Sequence, residues 1–157
     1  MGFQRSRKTY QRMLVNLLLE RYPKLYGELG SCGGTAVDIV LFAGRFYIRV
    51  EVKTSKKSNY TLQGREIEQL DHYTDLEKRG IRTWYAFYCL QPRKTQPGAR
   101  INDPKKKGYD PEKFRFSLPD TIRRTPAGYP QLRVDQGMGF DDWCRSAVEP
   151  FLPVDES

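Results

Sequence analysis

The sequence predicts a single mixed α/β domain, and three observations carry that prediction. A stretch with helical apolar spacing is followed by a segment whose apolar residues recur at every second position, and a second helical stretch then leads into an aromatic and β-branched run. The chain has 157 residues, of which 38% are hydrophobic and 13% aromatic, which is enough for one compact core and too apolar for disorder throughout.

Each element has its own signal. From about Thr9 to Tyr22, Met13, Leu14, Leu17 and Leu18 give the three-and-four spacing of a buried helical face, and Pro23 ends it. Gly27, Gly30, Gly33 and Gly34 mark a flexible connection. Ala36 to Phe42 is an apolar run broken by one acid, Asp38; Ala43-Gly44-Arg45 turns the chain. Phe46 to Lys53 then alternates, with Phe46, Ile48, Val50 and Val52 on one face and Tyr47, Arg49, Glu51 and Lys53 on the other, so the two segments read as a β-hairpin. Polar and basic Ser55 to Gln63 reads as a loop. Gly64 to Arg79 is helical again, with Gly80 placed to cap it, and Thr83 to Leu90 reads as a buried strand. Gln91 to Lys113 carries four prolines and the Lys105 to Lys107 run and reads as a long inserted loop. Phe114 to Leu118 and Gln131 to Asp135 are short strand candidates, and Gly139-Phe140-Asp141-Asp142-Trp143 looks like a helix start that closes at Pro150. The expected organisation is one domain over 1–150 and a C-terminal tail over 151–157.

The balance of 27 Lys and Arg against 19 Asp and Glu gives a net charge of +8, which favours polyanionic partners. The three cysteines, Cys32, Cys89 and Cys144, are widely spaced with no CxxC pair, which argues against a disulfide framework and against a zinc or iron–sulfur site. The longest apolar run, Met13 to Leu19, is too short to span a bilayer, and no signal peptide is read at the basic N-terminus. A cytoplasmic protein is expected.

The chemistry centres on Asp38 and on Glu51-Val52-Lys53. Residues two apart on a strand share a face, so Glu51 and Lys53 stand together, and a hairpin partner brings Asp38 beside them. Two carboxylates and an ammonium set in apolar strands are costly to bury unless paired or bound to a cation, and oxygen donors of this kind suit Mg²⁺ or Mn²⁺. Such a cation, with Lys53 beside it, fits phosphodiester hydrolysis. The plainer alternative is a surface strand with Glu51 and Lys53 solvated. Against it stand the apolar setting of Asp38, the strongly alternating strand that ends in Glu51 and Lys53, and the basic loop that follows at once.

The order helix, Val37-Asp38-Ile39-Val40, turn, Glu51-Val52-Lys53, basic loop, helix resembles the PD-(D/E)XK nuclease superfamily, and within it the archaeal Holliday-junction resolvases, from about Arg7 to Leu90 and faintly over Leu132 to Val148. The resemblance implies a restriction-endonuclease-like central mixed sheet flanked by helices, Mg²⁺ (or Mn²⁺) held by Asp38, Glu51 and the carbonyl of Val52, and a homodimer that cuts branched DNA. It departs in the first helix, where resolvases carry a Glu: Tyr10-Gln11-Arg12-Met13 offers the neutral oxygen of Gln11, and Glu20 lies about two turns later on the solvated face.

A second resemblance is the Gln-x-x-x-Tyr pattern of RecB-type exonucleases, matched by Gln69 and Tyr73 on one helix face, with Gln69 a further catalytic candidate and Tyr73 a DNA contact. Its plainer reading is one polar and one half-buried helical residue. Further DNA-contact candidates are Arg7, Lys8, Gln11, Ser31, Thr35, Lys56, Lys57 and Arg65. His72, the single histidine, reads as a surface helical residue more than a base, and Trp84 to Tyr88 as core more than a stacking platform. Four functions follow: a Mg²⁺-dependent endonuclease of branched DNA, a RecB-like repair nuclease of ends or single strands, a nuclease-like DNA binder without activity, and a restriction-type enzyme reading sequence through the loop at 91–113.

Overall fold

A computed structural model describes residues 2–30, 37–90 and 110–153. The chain opens with α1 (Gly2–Arg21), which buries Leu14, Val15 and Leu18 and closes where Tyr22 N donates to Leu18 O at 2.8 Å, one residue before Pro23. It starts well before Thr9, because residues 2–8 extend the backbone helix without adding an apolar stripe that would have revealed it. Among the described residues no helix is long and apolar enough to cross a membrane.

The first departure from expectation follows at once. Tyr26–Leu29, read as part of a glycine-marked connection, is an edge strand, β1. Its Gly27 packs so closely under α1 and the next strand that an added Cβ would lie 3.2 Å from Val15 and 3.1 Å from Leu41, so here glycine serves close approach and not flexibility. Next come β2 (Ile39–Ala43) and β3 (Phe46–Ser55), the expected hairpin. Ala43 pairs with Phe46, leaving Gly44 and Arg45 as a two-residue turn, and Gly44 takes the left-handed φ of 61° that such turns require.

The segment read as a loop over Ser55 to Gln63 contains β4 (Asn59–Thr61), which pairs with β7 (Gln131–Arg133) in a separate two-stranded sheet; a three-residue strand is too short to show a period. Between them lie α2 (Arg65–Lys78), closed at Gly80, then β5 (Thr83–Cys89) and β6 (Phe114–Ser117). The main sheet runs β1-β2-β3-β5-β6, with β3 and β5 parallel and the other pairs antiparallel. Residues 91–109 of the expected long loop lie outside the described residues, while Pro111–Lys113 form a short 3-10 turn. The chain ends with α3 (Phe140–Trp143), which continues through a π turn at Cys144–Val148 and a 3-10 turn at Glu149–Phe151 containing Pro150. Phe151, expected in the tail, lays its ring parallel to Phe46 at 6.4 Å.

The sheet separates two cores, and strand alternation decides which residue faces which. Trp84, Ala86 and Tyr88 join Val50, Val52 and Leu14 on the α1 and α3 face, where Trp143 stacks on Phe116 at 4.0 Å. Tyr85, Phe87 and Cys89 join Leu70, Tyr73 and Leu62 on the α2 face. All seven residues of β5 are buried, so Trp84 to Tyr88 is core, not a platform for bases. α2 also explains a change along β3. Its first residues alternate buried and exposed, but from Val50 to Thr54 every residue is buried, because α2 covers what would otherwise be the solvated face.

Candidate active site

That covering puts Glu51 and Lys53 in the interior. They are 4% and 2% exposed, on the α2 face beside their register partners Tyr85 and Phe87. Ile39 pairs with Val50 and Val40 with Arg49, so continuing the hairpin register by one residue sets Asp38 opposite Glu51. The contacts agree. Asp38 N donates to Glu51 Oε1 at 3.3 Å, and Val52 N donates to Asp38 Oδ2 at 2.8 Å. Backbone N–H groups thus anchor both carboxylates, and Val52 is tied to Asp38 directly. A further backbone approach holds this corner: Gly30 N donates to Asp38 O at 2.6 Å, and a Cβ on Gly30 would fall 1.7 Å from Val37 O, a separation no side chain tolerates.

Lys53 bridges two acids. Its Nζ is 3.4 Å from Glu51 Oε2 and 3.0 Å from Glu66 Oε2. Glu66, in the first turn of α2, also accepts from Tyr60 OH at 2.5 Å, and the Lys53 ammonium lies 5.7 Å from the Tyr60 ring. Burial works against charge on Glu66, but the Tyr60 hydroxyl and Lys53 outweigh it and hold its carboxyl below the ordinary glutamate range. Neither Glu66 nor Tyr60 was expected from sequence. The only local signal was the pair of acids at the helix start, which reads equally well as complementing the helix dipole.

Tyr73 corrects an expectation. It was read as a DNA contact, but it is 1% exposed and its hydroxyl donates to Glu51 Oε1 at 3.4 Å. Burial, and then the negative charge of Glu51, push its phenol well up, so it stays a neutral donor. The Arg49 guanidinium, also unanticipated, lies 5.4 Å from the Tyr73 ring on the same sheet face.

The remaining candidates are dispersed. Gln69 is half-buried one helical turn before Tyr73. Gln11 is buried at 8% on α1, the helix whose core lies on the other sheet face, so it is no open DNA contact. Lys56, Lys57 and Arg65 are exposed between β3 and the start of α2, as a backbone-binding role requires; His72 and Glu20 are exposed helical residues. Arg7 and Lys8 lie within α1, and Ser31, Thr35 and Lys105 to Lys107 fall outside the described residues.

The donor set can be tested against a metal. Among the described residues no group of three or more His, Cys, Asp or Glu gathers as a ready cage. A hard divalent cation needs no such cage, since one or two carboxylates can hold it with waters completing its shell. Asp38 and Glu51 are two carboxylates on the two arms of the hairpin, joined through the Asp38 main-chain N–H, with the Val52 main chain tied to the Asp38 carboxylate.

No family model and no curated protein matches the chain. Among solved structures it matches Hjc of Archaeoglobus fulgidus, described as a Holliday junction resolvase from an archaeal hyperthermophile, at a TM-score of 0.51 and 23% identity over 81% of this chain and 96% of the other. The chain has the resolvase fold. The central mixed sheet flanked by helices that the resemblance implies is the architecture observed, with five strands in the main sheet. Within the resolvase fold, Asp38, Glu51 and Lys53 gather at the hairpin, and α2 lies over them with Glu66 and Tyr73 turned inward.

Proposed function

We propose that the chain is a Mg²⁺-dependent DNA endonuclease of the PD-(D/E)XK kind, acting on branched DNA such as four-way junctions, as a cytoplasmic homodimer. One observation carries the reading: Asp38, Glu51 and Lys53 share one sheet face, with Glu51 and Lys53 buried as an ion pair and the half-buried Asp38 donating its main-chain N–H to Glu51, in a fold shared with a junction resolvase. A structural ion pair explains it less well, since two carboxylates beside one ammonium leave excess negative charge that a cation relieves.

Asp38, Glu51 and the Val52 carbonyl would hold the metal, with Mn²⁺ able to substitute. When bound, a divalent cation supplies positive charge against the phosphodiester and makes water a better nucleophile. Tyr73 and the Asp38 main chain keep Glu51 Oε1 in place by donating to it. Lys53 Nζ, fixed between Glu51 and Glu66, donates hydrogen bonds to the attacking water and offsets charge that grows on the phosphorus. Lys56, Lys57 and Arg65 supply exposed charge against the DNA backbone. Gln69, one helical turn before Tyr73 on α2, is kept as a further candidate on the strength of that spacing.

The test is cleavage of labelled junction, flap, duplex and single-stranded DNA with and without Mg²⁺. Glu51→Gln, Asp38→Asn and Lys53→Met should each lower the rate by roughly 10²–10³-fold while leaving DNA bound. Wild type that cuts none of these substrates would sink the reading. A second reading, a nuclease-like DNA binder, draws on Gln11, a neutral and buried residue where resolvases carry a Glu. It predicts salt-dependent binding of junctions with no Mg²⁺-dependent product.

A further inference from the structure

The register of the first three strands sorts their outward residues into rows. Tyr26 pairs with Phe42 and Phe42 with Tyr47; Glu28 pairs with Val40 and Val40 with Arg49. All six share the sheet face that carries Asp38 and Glu51, because each lies an even number of residues from them on its own strand or pairs with one that does. The first row therefore holds three aromatic residues at paired positions, the second contains Arg49, and the third is the Asp38 and Glu51 pair. Rows are two residues apart, so the aromatic row lies about 13 Å from Asp38 along the strands.

This end of the face is open. Tyr26 is 61% exposed and Tyr47 48%, and Tyr26 and Phe42 hold their rings 5.2 Å apart at 32°. Single exposed aromatics are ordinary, but three placed in one cross-strand row, two of them in ring contact, put apolar surface at one spot that water does not favour. Arg49, half-buried between this row and the carboxylates, makes no ion pair with an acid among the described residues. The one acid in its row, Glu28, sits at the edge strand on the far side of Val40.

We propose that Tyr26, Phe42 and Tyr47 form a stacking platform for unpaired bases of the nucleic-acid strand entering the site, with Arg49 holding the phosphate between platform and carboxylates. The proposal rests on the nuclease reading for the direction of the strand, and on the sheet for its geometry. Aromatic rings offer stacking to any base, an arginine offers charge to the backbone, and the two alternate here along one line that ends at the acids. A second copy of this chain is the other occupant to consider. The nucleic acid is favoured because the patch is continuous with the candidate site, and a copy seated on it would cover Arg49 and the approach to Asp38.

The experiment measures anisotropy of a labelled oligothymidine strand and of a blunt duplex of the same length, in EDTA so that nothing is cut. Tyr26→Ala and Tyr47→Ala should each weaken single-strand binding by roughly fivefold to 150-fold, the span of one base–aromatic stack. Duplex affinity should change far less. Tyr26→Phe and Tyr47→Phe should bind like wild type, since the ring and not the hydroxyl is used, which also guards against a variant that merely unfolds. Single-strand affinity unchanged in the double alanine variant overturns the proposal. So does an equal loss on both DNAs, or a shift from dimer to monomer in sedimentation with single-strand affinity intact, which would assign the face to a second copy. Cleavage by wild type is scored separately. Ring-dependent binding without cleavage supports the platform and removes the nuclease reading; cleavage with binding that ignores the rings does the reverse.

Discussion

Replacing Glu66 by Gln tests whether the site depends on a residue from outside the hairpin. The change keeps the size of the side chain and an acceptor for Tyr60 OH, but removes the negative charge 3.0 Å from Lys53 Nζ. The Lys53 side chain is only 3% exposed, so water cannot replace the lost partner, yet Glu51 remains 3.4 Å away and limits the damage. The full cost of breaking a buried pair, about 3–5 kcal/mol, is therefore an upper bound. The loss of one hydrogen bond to a charged group, about 1.5–3 kcal/mol, is the expected size. For a chain of this length that lowers Tm by roughly 3–12 °C. The pH dependence has a defined sign. Glu66 titrates lower in the folded protein than in the unfolded chain, so its contribution is present in full above the unfolded value and is lost as pH falls through the lower folded one. The stability gap between wild type and Glu66→Gln should be constant through neutral pH and close below about pH 4. Cleavage should fall roughly 10–100-fold, the usual cost of removing a residue that orients one touching the reaction. Thermal melts across pH and single-turnover cleavage check both. Melting and cleavage equal to wild type at neutral pH would refute the view that Glu66 positions Lys53.

Two further outcomes follow from the same geometry. Gly30→Ala must displace the chain at Val37, because its Cβ would sit 1.7 Å from that carbonyl oxygen; the expected result is a destabilised protein that also loses cleavage, since Asp38 is the next residue, and a melt and rate equal to wild type would contradict it. Cys144 is fully buried, and burial pushes its thiol up to about 11, so in the native protein it should resist alkylation near neutral pH and react only after unfolding, as peptide mapping after iodoacetamide treatment would show; Cys144 labelled rapidly in the folded state at pH 8 would contradict it.

What could be read from sequence follows a physical rule. Asp38 is legible because it breaks the pattern around it: a charge within a run of apolar residues demands compensation, and Glu51 and Lys53 are legible because they share a strand face that a hairpin sets beside it. The hairpin was legible because its strands are long enough to show a period and its turn carries a glycine where a left-handed residue is needed. β1 was not, since four residues with a glycine among them show no clear alternation, and its place is set by packing against Val15 and Leu41 from distant parts of the chain. Nor were β4 and β7, each of three residues, which exist only because they meet.

The residues that support the site were hidden for the opposite reason: each satisfies its local pattern. An acid at a helix start, as at Glu66, already has a purpose in the helix dipole. A tyrosine at the half-buried edge of a helix, as at Tyr73, already has one in the core. Tyr47 and Arg49 alternate outward along β3 as any half-buried strand requires, so nothing in the segment marks them. Only the parallel pairing of β3 with β5 brings α2 back over Glu51 and Lys53, and only the register of β1 and β2 sets Tyr26 and Phe42 beside Tyr47 in line with the acids. Function that conflicts with folding can therefore be read one residue at a time. Function built from residues that fold as they should appears only when the strands are laid side by side, and in this chain that is where the holder of Lys53 and the platform beside the site were found.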